Sequence, residues 1–183
     1  MSEKGTVYFF TGLAGAGKTT IGGLFYQRLK EISPDAVLID GDQTRTQAGH
    51  STSDGKVLLE DRYTTEARKA GAWGTFRRCR DLAEQGRDVV ICSISMYTEV
   101  RAWNRENIEH YREVYLKVTP ETLYRRDQKG LYSSGTKNVV GVDLLCEEPE
   151  CPDIVVENDG QETPEQIVDR LEVFFGLSGE DKP

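Results

Sequence analysis

No stretch of this 183-residue chain is apolar enough to cross a bilayer, and its first ten residues lack the apolar segment of a secretory signal. Histidine is scarce: only His50 and His110 occur. The four cysteines, Cys79, Cys92, Cys146 and Cys151, form no C-x-x-C pair, so no zinc site is suggested. Bases are outnumbered, 23 against 31 acids, and the net charge of −8 argues against general nucleic-acid binding. Internal repeats and low-complexity linkers are also missing. These absences lead to a cytoplasmic protein with neither a membrane nor a nucleic acid as partner. The expected organisation is one domain over residues 1–177, with 178–183 as a disordered tail.

What the chain does have is concentrated in Gly12-Leu13-Ala14-Gly15-Ala16-Gly17-Lys18-Thr19-Thr20. The stretch fits the phosphate-cradling pattern G-x-x-x-x-G-K-[ST] at every position. A β-branched and aromatic run, Thr6–Phe10, precedes it and predicts a buried strand. Ile21, Leu24, Phe25, Leu29 and Ile32 follow at helical spacing. Strand, glycine turn and helix N-terminus together direct unpaired N–H groups and a positive dipole end at a phosphate. Lys18 is expected on the β- and γ-phosphates and the Thr19 hydroxyl on Mg²⁺, which makes ATP and Mg²⁺ the expected ligands.

Further strands are expected at Ala36–Asp40, Val89–Ser93, Val114–Val118 and Ile154–Glu157, alternating with helical patterns as in a parallel α/β sheet. Helices are predicted over Leu58–Ala83, weakened by Gly71 and Gly74, and over Thr98–His110. Two more open with a threonine cap and a proline, at Thr119-Pro120, running to Gln128, and at Thr163-Pro164. Cys92 sits in an apolar run and fits a small core residue. Cys146 and Cys151 are close enough in sequence to pair, but a cytosolic nucleotide enzyme favours free thiols. Two polar stretches without periodicity, Gln43–Val57 and Gly130–Glu150, leave the carboxyl side of the sheet, where open α/β sheets bind ligands.

Asp40-Gly41-Asp42, with Arg45 beyond, ends the second strand. Phosphoryl transfer to a hydroxyl needs a group that orients or deprotonates it, and Asp42 is the candidate. Asp40 would position it or reach the metal through water. Arg45 and Arg62 are placed to grip a substrate phosphate. Arg125, Arg126 and Lys129 run into the later polar stretch, where a lid would close over ATP. Arg77, Arg78 and Arg80, beside Asp81 and Glu84, fit a solvated helix face. Ser95, in Ser93-Ile94-Ser95-Met96-Tyr97, either contacts the acceptor or caps the helix opening at Thr98.

With these residues in view, the chain resembles the adenylylsulfate (APS) kinases. The resemblance runs through the glycine stretch, Ile39-Asp40-Gly41-Asp42 with Arg45, Asp61-Arg62 and Ile94-Ser95-Met96-Tyr97. It continues through Glu113-Val114-Tyr115-Leu116, Arg126-Asp127-Gln128-Lys129-Gly130-Leu131-Tyr132, Gly141-Val142-Asp143 and Glu148-Pro149. It implies a three-layer P-loop nucleotide-kinase fold, a five-stranded parallel sheet ordered 2-3-1-4-5, and usually a homodimer. The implied activity moves the γ-phosphate of ATP to the ribose 3′-hydroxyl of a nucleotide. Residues Gly12 to Thr20 and Arg126 would bind ATP; Asp40, Asp42, Arg45, Arg62, Ile94, Ser95, Lys129 and Leu131 would bind the acceptor. Lys18, Asp42 and Ser95 would be catalytic, Ser95 matching a serine described as a phosphoserine intermediate, although in-line transfer needs no serine nucleophile.

The chain departs from the family where the acceptor base is recognised. Met96 replaces a proline, Thr65 an asparagine and Val139 a phenylalanine, and the Gly-Phe-Ser before Asp61-Arg62 has no clear counterpart. Those two phenylalanines look like adenine platforms, each worth roughly 1–3 kcal/mol of stacking. The cytidine diphosphoramidate kinases of capsule synthesis also look like APS kinase, and Lys137-Asn138-Val139-Val140-Gly141-Val142-Asp143 is similar to that group. APS is the family's acceptor and cytidine diphosphoramidate the alternative. Kinases of small metabolites and nucleotide switches are the remaining classes; Asp40, Asp42 and the Arg126–Tyr132 run weigh against a switch.

Overall fold

The structure is a computed structural model and describes residues 3–41, 65–127, 130 and 146–177. Among them are five strands: β1 (Val7–Thr11), β2 (Val37–Asp40), β3 (Val89–Cys92), β4 (Tyr111–Lys117) and β5 (Ile154–Glu157). The helices are α1 (Lys18–Ile32), α2 (Thr65–Glu84), α3 (Thr98–Asn107), α4 (Pro120–Arg126) and α5 (Pro164–Phe175). All strand pairs are parallel, in the order β2-β3-β1-β4-β5, as expected.

β1 is buried along its whole length because both faces of the sheet are covered. Its side chains alternate between two cores. Tyr8 and Phe10 face α1 and α5, packing with Ile21, Phe25, Leu29, Ile167, Val168 and Leu171. Val7 and Phe9 face α2 and α3, packing with Ala72, Phe76, Cys79, Ala83 and Val100. The result is three layers with β1 at the centre. The connection after β1 runs toward the β2 edge and the one after its neighbour β4 toward the β5 edge, so the loop after β1 lies at the switch point where such sheets bind ligands.

Local sequence accounts for most boundaries. Thr163 and Gln166 form a reciprocal capping box at α5, with Pro164 in the first turn. Thr119 accepts from Thr122 N–H at α4, again ahead of a proline. Gly22 lets α1 close on the sheet, since a Cβ there would stand 2.4 Å from Cys92 Sγ. Gly71 and Gly74 do not break α2, which runs unbroken through both.

Three expectations are corrected. β4 starts at Tyr111 rather than Val114, because Tyr111, Arg112 and Glu113 pair with Val7, Tyr8 and Phe9 despite their polarity. α3 stops at Asn107 rather than His110, since Ile108 turns extended (φ −115°) and is buried. α4 ends at Arg126, where Asp127 adopts φ 29°. The expected start of α2 at Leu58 and the stretches Gln43–Val57 and 131–145 lie outside the described residues, as does 178–183. Cys79 and Cys92 are buried, and all four cysteines are free thiols. Arg80 pairs with Asp81 at 2.7 Å on the outer face of α2, as expected. No helix among the described residues is long and apolar enough to cross a membrane.

Candidate active site

Between β1 and α1 the chain curls through three left-handed or otherwise positive-φ glycines: Gly12 (φ 151°), Gly15 (φ 80°) and Gly17 (φ 96°). Gly12 also passes so near β4 that a Cβ would stand 2.5 Å from Leu116 O. α1 opens with Gly17 at its cap position, without a side-chain cap and without an acidic residue in its first turn. Its first N–H groups and dipole therefore favour an anion. Lys18 Nζ donates to Leu13 O at 2.8 Å, folding its ammonium back across the same loop.

Thr19 Oγ1 donates to Asp40 Oδ2 at 3.1 Å, joining the start of α1 to the carboxyl end of β2. Mg²⁺ is typically held by one or two protein oxygens plus waters and substrate phosphates. The hydroxyl–carboxylate pair fits that demand. Among the described residues no group of three or more His, Cys, Asp or Glu could cage a metal, so the phosphates would complete the shell. Cys92 lies directly behind, its Sγ 3.3 Å from Lys18 O, and burial pushes its thiol up to about 12.

The loop after β3 reaches the same end of the sheet. Thr11 Oγ1 donates to Ile94 O at 2.6 Å, and the Ser93 and Ser95 hydroxyls are 2.7 Å apart. Ser95 holds φ 28°, a conformation costing a non-glycine residue about 1–3 kcal/mol, and it persists because the loop is tied on both sides. Its carbonyl accepts from Tyr97 N–H at 2.9 Å. The capping role weighed for Ser95 does not hold: Tyr97 occupies the cap position, and the Thr98 N–H donates instead to the Glu147 carboxylate. The local sequence hides this cap, which arrives from 49 residues away.

Arg126 reaches the phosphate loop. Its Nη1 donates to Gly15 O at 3.2 Å and its Nη2 to Asn158 O at 2.7 Å. Arg125 instead contacts Thr122 Oγ1 and Asp159 O. Sequence reasoning missed Asn158, whose Nδ2 donates to Ala16 O at 2.9 Å; the available signal was a polar residue just past a strand's carboxyl end. It also missed Arg101, which is buried and spans Glu147 O, Glu148 O and the buried Glu113 carboxylate. Burial outweighs Arg101 and Arg105 and pushes the Glu113 carboxyl up.

The structure thus brings together Gly12 to Thr20, Asp40, Ile94, Ser95 and Arg126 at one end of the sheet. Asp42, Arg45, Arg62, Lys129 and Leu131 lie outside the described residues.

Comparison with known proteins agrees with this architecture. The adenylylsulphate kinase family profile matches residues 4–157. The cytidine diphosphoramidate kinase of Campylobacter jejuni subsp. jejuni serotype O:2 is 34% identical over 175 residues, covering 93% of this chain and 96% of the relative. The probable adenylyl-sulfate kinase of Archaeoglobus fulgidus is 32% identical over 157 residues, covering 84% of this chain and 96% of the relative. The structure of the Mycobacterium tuberculosis APS kinase CysC in complex with AMPPNP and APS shares the fold. Its TM-score is 0.77 at 24% identity, covering 94% of this chain and 98% of that one. With the profile spanning the phosphate loop through β5, the chain belongs to the adenylylsulphate kinase family.

Proposed function

We propose that this chain is an ATP- and Mg²⁺-dependent kinase of a nucleotide's ribose 3′-hydroxyl, with cytidine diphosphoramidate as its acceptor. The observation that carries the kinase reading is the Thr19–Asp40 contact at the mouth of a positive-φ glycine cradle. Lys18 would draw charge from the β- and γ-phosphates, and Arg126 would bound the nucleotide where it meets Gly15. Thr19 Oγ1, with Asp40 beside it, would hold Mg²⁺, which when bound would neutralise charge on the phosphate oxygens. Asp42 orients the acceptor hydroxyl and takes its proton as the new oxygen–phosphorus bond forms. The β–γ bridging bond breaks in line, and ADP leaves. No covalent serine step is required, so Ser95 and Ile94 line the acceptor side with Lys129 and Leu131, while Arg45 and Arg62 hold its charged group. Residues 1–177 act as one kinase domain, in a homodimer in the cytoplasm.

The cytidine reading is supported by the Campylobacter relative, alike over nearly the full length of both chains. It is supported too by Val139, where the family has a platform phenylalanine. Loss of stacking worth roughly 1–3 kcal/mol per platform penalises an adenine acceptor. The family profile and the archaeal relative favour the second reading, APS. Steady-state ADP release with each acceptor decides between them. A kcat/KM at least about fivefold higher for cytidine diphosphoramidate is expected from one lost platform. Equal or higher kcat/KM with APS overturns the cytidine reading. Lys18→Ala should cut kcat with either acceptor by about 10²–10³-fold; unchanged turnover would remove the phosphate loop from the chemistry.

A further inference from the structure

The phosphate loop is held from behind by two donors outside it, on consecutive carbonyls. Arg126 takes Gly15 O, and Asn158 takes Ala16 O at 2.9 Å. The Ala16–Gly17 peptide is planar and trans, so its C=O and N–H point in opposite directions. Anchoring the Ala16 oxygen on Asn158 therefore turns the Gly17 N–H to the other side of the loop, away from Asn158. By contrast the Ala16 N–H is spent inside the loop, on Leu13 O at 3.1 Å. The orientation of the Gly17 donor thus depends on an amide 142 residues beyond Ala16.

Asn158 has little freedom to let go. Its N–H donates to Lys117 O at 2.8 Å, extending the β4–β5 ladder one step, and its carbonyl accepts from Arg126 Nη2 at 2.7 Å. The next residue, Asp159, accepts from Thr119 N–H at 3.0 Å and Thr119 Oγ1 at 2.9 Å. Asn158 and Gly17 also need each other sterically: a Cβ at position 17 would stand 2.7 Å from Asn158 Nδ2. The chemistry required at 158 is narrow. An alanine leaves the Ala16 oxygen without this donor, and an aspartate sets a carboxylate against a carbonyl.

We propose that Asn158 is a positioning residue for nucleotide binding: it fixes the Ala16–Gly17 peptide so that the Gly17 N–H is aligned for a phosphate oxygen before ATP arrives. The inference rests on the kinase reading above and names a residue that acts through the loop rather than on the nucleotide.

Calorimetric titration of Mg·ATP into wild type, Asn158→Ala and Asn158→Asp, with thermal unfolding of each without nucleotide, tests it. Asn158→Ala should raise Kd about three- to tenfold, the worth of one hydrogen bond. Asn158→Asp, the same shape without the donor, should raise Kd more than about tenfold. Nucleotide-free Tm should fall by no more than about 6 °C, leaving the protein folded at the titration temperature, and the acceptor KM should be unchanged. Unchanged Kd in either variant, or loss of affinity only in step with loss of the fold, overturns the positioning role and leaves the kinase reading standing. A wild type that binds no Mg·ATP overturns both.

Discussion

The phosphate loop takes its shape from nine consecutive residues, whereas the Ser93–Tyr97 loop beside it is shaped by residues from distant parts of the chain. In the first, positive-φ glycines and a helix start set the curl, and Asn158 and Arg126 fix two of its carbonyls from outside. In the second, Thr11 pins Ile94, Glu147 caps Thr98, and Arg101 ties Glu147 and Glu148 back to α3. Cys146 Sγ packs 3.0 Å from Met96 Sδ, closing the same strap. Such a fold varies unevenly. The curl of a phosphate cradle is set locally, with outside residues fixing individual peptides. The neighbouring wall is a composite and changes when any distant contributor does.

Arg101→Met should separate the two regions most strongly. Removing Arg101 deprives the buried Glu113 carboxylate of a cation 3.6 Å away, leaving Arg105 as the other. Breaking such a buried pair costs about 3–5 kcal/mol, measurable by denaturant unfolding. The sign with pH follows from burial. The Glu113 carboxyl is already pushed up, so ionising it opposes folding, and the deficit should grow as pH rises through the raised value and shrink in acid. Affinity for Mg·ATP should be nearly unchanged in protein that remains folded; a loss as large as that of Asn158→Asp would mean that the two regions are one unit.

A smaller effect separates the support behind the phosphate loop from the loop itself. Hydrogen bonds from the Thr119 N–H, above all, pull the Asp159 carboxyl below the usual carboxylate range. Its contribution to stability is therefore complete above the ordinary value of about 3.9 and is lost as pH falls through the lowered one. Asp159→Asn should lose that contribution near neutrality and converge on wild type as pH falls through the lowered value, flattening the acid limb in unfolding curves between about pH 2 and 6. An unaltered acid limb would show that the Thr119–Asp159 tie contributes nothing.

The same contrast decides how much could be read in advance. The parallel sheet covered on both faces, the glycine cradle and both threonine–proline caps were legible because each follows from contiguous residues or from a whole-chain alternation, whereas the strand order came only with the family resemblance. Asp40 was legible as a partner of the phosphate end, since it closes an apolar strand on the carboxyl side of the sheet. The start of β4 was not, because Tyr111-Arg112-Glu113 looks like loop until Arg101 and Arg105 supply the charges that let Glu113 sit buried. Asn158 and Glu147 were hidden for a related reason. Their partners are main-chain atoms, which carry no side-chain signature, and they lie 142 and 49 residues away.

The most direct measurement follows the phosphorus itself. ³¹P NMR of the protein with Mg·ATP and cytidine diphosphoramidate should show one new 3′-phosphomonoester formed for each ADP, with no inorganic phosphate. ATP converted to ADP and inorganic phosphate without that ester, or ATP left intact, would contradict the account.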